Sequence, residues 1–195
     1  GAYDDSAITE ITYYSEYAEE ECYDEAGLKY VLLEDGSGYE VSKGSADLSG
    51  EIYIPDYVNG MPVKSIADNG FYKKYDGVFT NLDLRTGAAC NRITTAVRLP
   101  KHLESIGRGA FANFYNITEI VIPDGVVEIG KRAFVNNAHL TKVVLPKGLK
   151  VLREESFRRT ALDEIILPQG LEIIESFAFG TAGSGPLAVQ SNVSE

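Results

Sequence analysis

Four short segments of this chain end alike, and they recur at a nearly fixed interval. They are Ala96-Val97-Arg98-Leu99-Pro100, Glu119-Ile120-Val121-Ile122-Pro123, Lys142-Val143-Val144-Leu145-Pro146 and Glu164-Ile165-Ile166-Leu167-Pro168. Their prolines stand 23, 23 and 22 residues apart. Six residues after each proline comes an aliphatic side chain: Ile106, Ile129, Leu152, Ile174. Five further on comes a phenylalanine (Phe111, Phe134, Phe157, Phe179), each preceded by a small residue. Self-similarity at this period constrains the fold more than any other feature of the chain. A unit so short cannot bury its own apolar side. Stacked units bury it against one another, which predicts a β-rich repeat solenoid.

The template sets further expectations. Alternation along each short strand points residues such as Ile120 and Ile122 inward and the residue between them outward. Proline ends the strand, where no ladder donor is needed. The glycine two residues later (Gly125, Gly148, Gly170) is expected to supply a positive-φ turn. His102 takes that slot in the first clear copy, so its turn is expected to differ. The phenylalanines are expected to form an interior spine at about one strand spacing, ~4.8 Å per rung. An earlier copy runs through Glu51-Ile52-Tyr53-Ile54-Pro55, Ile66 and Phe71. Pro55 and Pro100 are 45 residues apart, close to two periods, so a degenerate rung is expected at residues 78–84, within an irregular insertion near 72–95. The array is thus expected to hold about five to six rungs of ~22–23 residues over 28–180, with an N-terminal cap before it and a tail or truncated last repeat at 181–195.

Charge divides the chain. Residues 1–60 carry 15 acids and 2 bases, the remainder 14 acids and 16 bases. Ile8, Ile11, Tyr14, Tyr17 and Ala18 form a stripe at near-helical spacing, read as a capping helix or an unstructured leader with an acidic face. The net charge of −11 argues against a nucleic-acid binder, which needs a basic face. No apolar run is long enough to suggest a membrane span. Cys22 and Cys90 are either a disulfide or two isolated thiols. No nucleophile elbow, phosphate loop or metal-ligand spacing is present, and the two histidines have no partners at useful spacing. Neither catalytic residues nor a cofactor or metal is therefore expected.

The repeat closely resembles the BspA-like leucine-rich repeats of bacterial and protist surface proteins. Gly27-Leu28-Lys29-Tyr30-Val31 with Gly38-Tyr39-Glu40-Val41 resembles that family's entry hairpin, and Ile52-Tyr53-Ile54-Pro55 through Ile66 resembles its first rung. The resemblance implies a leucine-rich-repeat solenoid and a role in surface or secreted display and adhesion, without a specific activity. It also implies a signal peptide already removed from a secreted or cell-surface protein. One departure is that the slots where family repeats often carry cysteine hold Phe114 and Asn137.

What a partner meets is then the outward ladder. The residues two before each proline are Arg98, Val121, Val144 and Ile166, an apolar stripe flanked by the charged Glu119, Lys142 and Glu164. These seven are the expected contact residues for an extracellular protein or glycan ligand. The alternative is a structural spacer or self-association module. A second row, Arg108, Lys131, Arg132, Arg153, Arg158 and Arg159, is expected on another side, as a solvated ridge paired with Glu154 and Glu155 or as a contact for the acidic N-terminal arm.

Overall fold

A computed structural model of the chain describes residues 19–72, 93–180 and 188–191. The described residues form strands and turns without a helix. The chain enters through an antiparallel meander of β1 (Glu21–Tyr23), β2 (Lys29–Leu32) and β3 (Tyr39–Ser42). The expected helical stripe, Ile8 to Ala18, lies outside the described residues. Just after it, Glu21–Tyr23 pairs with β2, and Lys29 grips Glu21 at 2.6 Å.

From β4 (Gly50–Tyr53) onward the chain coils, laying down one strand on each of two sides per turn. One side continues the meander into parallel strands β6 (Met61–Ile66), β8 (Ser105–Ile106), β10 (Glu128–Ile129), β12 (Val151–Leu152) and β14 (Ile173–Ile174), with β5 (Tyr57–Val58) folded back on β6. The other side carries three parallel pairs: β4 with β7 (Thr94–Arg98), β9 (Glu119–Val121) with β11 (Lys142–Val144), and β13 (Glu164–Leu167) with β15 (Ala188–Ser191). This is the expected β-solenoid, of about five turns.

The core is a column. Phe71, Phe111, Phe134, Phe157 and Phe179 stack nearly parallel, with centroids 5.1, 5.6, 5.1 and 5.8 Å apart. The first four are fully buried, and Phe114 packs edge-on against Phe111. Offset stacking of this kind adds a specific attraction to the area buried.

Within 181–195, β15 is in register with β13 from Glu164↔Ala188 to Leu167↔Ser191. Two expectations need correction. Among the described residues no rung stands between those of Phe71 and Phe111: Ile66 pairs directly with Ile106, Ile52 with Val97, and the two rings stack. Residues 78–84, expected to form that rung, lie outside the described residues. Second, Gly125, Gly148 and Gly170 do not have positive φ. A Cβ on Gly125 would come 2.7 Å from the Leu103 carbonyl oxygen, so there the close approach of neighbouring rungs excludes a side chain. The left-handed residues form two other columns: Asn69, Gly109, Arg132, Glu155 and Phe177 three places after each core aliphatic, and Asn113, Asn136 and Arg159 two places after each phenylalanine.

Candidate functional site

Strand alternation builds the outward ladder. Ile120 and Ile122 are buried, while Val121 between them is 55% exposed. Its equivalents Val144 and Ile166 are 42% and 48% exposed. Parallel register places Val121 beside Val144, with Glu119 beside Lys142 and an ion pair of 2.7 Å between them. β-Branched side chains suit this pleated surface, and in-register pairs of them support the ladder. Between β11 and β13 the ladder is interrupted, and the gap is a groove of about 480 Å³. Lys142, Val144, Glu164 and Ile166 line it, with Lys147 and Pro168.

Four of the seven expected contact residues therefore meet in one groove. Glu119 and Val121 adjoin it through the β9–β11 pair. Arg98 belongs to the separate β4–β7 pair, where it binds Glu51 at 2.7 Å. Sequence reasoning missed Tyr53, which is 62% exposed and in register with Arg98. The signal was available, because Tyr53 stands two places before Pro55. The ladder thus presents an aromatic residue at one end and aliphatic residues towards the other. Such a surface can desolvate apolar side chains of a partner while its flanking charges set register.

The expected basic row divides. Arg153 is held between Glu128 and Glu175, each at 2.8 Å, and these contacts push its pKa up. Arg108, Lys131, Arg132, Arg158 and Arg159 instead line a trough of about 700 Å³ along the turns that precede and follow the phenylalanines. At its floor Glu155 is only 6% exposed. Burial alone would raise its pKa, but hydrogen bonds and charge from Arg132 and Arg158 outweigh that and hold it below the ordinary carboxylate range. Lys131 pairs with Glu154 at 2.5 Å.

His102, in its glycine slot, meets the Tyr57 hydroxyl at 2.6 Å and packs edge-on against that ring. Lys101 lies over the same ring and pairs with Asp56 at 3.0 Å. His139 packs against Tyr115. Cys22 is a half-buried free thiol, and Cys90 lies outside the described residues. Among the described residues no three His, Cys, Asp or Glu side chains gather as a metal site needs, and no helix is long and apolar enough to cross a membrane.

A family model for the BspA type leucine rich repeat region matches residues 84–195 in six copies, more than half of the chain. The chain belongs to this family. No curated protein matches it. Among solved structures, this BspA-type array is similar to the T. pallidum leucine rich repeat protein TpLRR, with a TM-score of 0.63 and 24% identity over 76% of this chain and 62% of that one. It is also similar to the pneumococcal vaccine antigen PcpA (TM-score 0.58, 18% identity, 87% of this chain and 50% of that one). A third is a leucine-rich repeat protein from Bacteroides capillosus (TM-score 0.50, 19% identity, 88% and 99%). The chain thus spans less than two thirds of the first two. At these identities the likeness establishes the fold.

Proposed function

We propose that this BspA-type array is a non-enzymatic binding module of a secreted or bacterial surface protein, with a role in adhesion. Its ligand is an extracellular protein, or a glycan, held on the outward ladder. The observation that carries this reading is the solvent-facing row Val121, Val144 and Ile166, ending in the groove between β11 and β13. Three exposed aliphatic side chains in line favour a protein partner, because they gain from desolvation by other apolar groups. The ion pairs beside them, Glu119–Lys142 and Arg98–Glu51, form a polar rim. Membership of the BspA-type family supports reading the array as a non-enzymatic module in a surface setting.

The test is binding of the purified chain to immobilised extracellular-matrix proteins and neutral glycans. The comparison is the double variant Val121→Lys, Val144→Glu, whose opposite charges sit side by side and spare the ladder. Saturable binding lost in the folded variant is the expected result. Binding that the variant retains would refute the ladder as the site.

A second reading, self-association, draws on the last rung. Ile173, Ile174, Phe177 and Val189 are all roughly half exposed or more. Among the described residues β14 and β15 end their sheets, and apolar sheet edges of this kind favour end-to-end stacking. Sedimentation over a range of concentrations separates the two: a binding module stays monomeric, a spacer assembles.

A further inference from the structure

The trough on the turn side is a different surface from the ladder, and its charge is opposite to that of the chain as a whole. Five cationic side chains line it against one carboxylate, while the whole chain carries −11. Three of the five cations are engaged: Arg132 and Arg158 by Glu155, Lys131 by Glu154. Arg108 and Arg159 are exposed and make no ion pair with the described residues. They stand two rungs apart along the array, on the rungs of Phe111 and Phe157, or about 10 Å along the axis at ~4.8 Å per strand.

The intervening surface is not a wall of charge. Asn136 Nδ2 donates to Asn113 Oδ1 at 2.9 Å. This leaves Asn113 Nδ2 as a donor and Asn136 Oδ1 as an acceptor with no further partner among the described residues. Asn113 is itself only 6% exposed, so its amide is fixed in place. Tyr72 also lines the trough.

The pattern is therefore free guanidinium, neutral amide pair, free guanidinium. Guanidinium forks match carboxylate and sulfate geometry, and amides match hydroxyls. From this pattern we infer that the trough is a binding site for an acidic polysaccharide, one that carries carboxylate or sulfate groups with hydroxyls between them. A nucleic acid fits less well, because its phosphates are closer together and the chain's net charge repels so dense a polyanion. An acidic peptide supplies carboxylates but not the hydroxyls that the amide pair calls for. Glu155 acts as a positioning residue: its two oxygens bridge Arg132 and Arg158, fixing both on the trough and neutralising part of their charge, so that Arg108 and Arg159 are left as its unpaired cations. The site is independent of the ladder.

The test uses the intact chain against immobilised hyaluronate (carboxylated) and heparin (sulfated), with dextran, polyglutamate and an oligo-dT strand as comparisons, at low and at physiological salt (~0.15 M). The key variant is Arg108→Gln, Arg159→Asn. It breaks no ion pair among the described residues, and asparagine already occupies the left-handed position of Arg159 in two other rungs. A second variant, Asn113→Asp, places a carboxylate mid-trough. The expected result is saturable, salt-weakened binding to one or both acidic glycans, reduced tenfold or more in each trough variant and unchanged in Val121→Lys, Val144→Glu. Hyaluronate alone identifies carboxylate as the recognised group, and heparin alone sulfate. Absence of binding to both, binding unaltered in the trough variants, or equal binding to polyglutamate or oligo-dT would overturn the inference.

Discussion

Ile129 and Ile174 hold the same place in the repeat, yet Ile129 is fully buried and Ile174 is 49% exposed. Phe134 and Phe179 differ in the same sense, one sealed in the column and the other only partly covered at its end. The side chains are equally apolar, so the difference lies in the neighbours. In a linear array each rung receives part of its burial from the next one, and the last described rung lacks that cover. A residue's place along the stack therefore decides its energetic weight as much as its identity does.

Substitutions can test this rule. Phe134→Ala is expected to cost about 3–5 kcal/mol, whereas Phe179→Ala costs roughly half of that or less; urea unfolding followed by circular dichroism measures both. Equal losses would break the comparison. Asn137→Ala tests a polar residue of the middle rungs. Its side-chain oxygen accepts the Phe114 backbone N–H at 2.8 Å in a fully buried turn, and losing it is expected to cost about 1–3 kcal/mol.

Glu155 adds a pH dependence. Its folded pKa is depressed, so its contribution is present above the unfolded value of about 4.3 and fades as pH falls through the lower folded value. Glu155→Gln is expected to lower the melting temperature at pH 7 and to flatten its decline between about pH 5 and pH 3. An identical acid profile for both proteins would remove the ion-paired floor from the account. The smallest effect belongs to the end: Ile174→Thr is expected to change stability by less than ~0.5 kcal/mol. Hydrogen exchange should also find the amides of Ile173 and Ile174 opening before that of Ile129.

The middle of the fold was legible because the period repeats the same physical problem. Proline marks each strand end, alternation marks the outward residue, and Phe111, Phe134 and Phe157 fall where the spacing puts them. The apolar ladder followed from those rules. What the spacing concealed was of another kind. A 45-residue interval reads as two periods, but direct stacking of Phe71 on Phe111 depends on which rungs meet in space. The strand at 188–191 departs from the template because parallel pairing with β13 requires backbone, not a motif. The left-handed columns escaped notice because Arg132, Glu155 and Arg159 are poor sequence signals for positive φ. The cationic row itself was legible, but not the trough that those columns shape around it.

The five-residue offset from core aliphatic to phenylalanine is the same in all five rungs, from Ile66–Phe71 to Ile174–Phe179. Every change in chain length falls elsewhere. The β5 hairpin enlarges the corner after Pro55, the long insertion follows Phe71, and the 22-residue period loses its residue between Phe157 and Ile165. The array thus behaves like a gauge-cut part with adjustable joints. Foreign loops grafted after a phenylalanine column position should be carried without retuning the stack, whereas a single residue inserted between a core aliphatic and its phenylalanine should throw that ring out of the column.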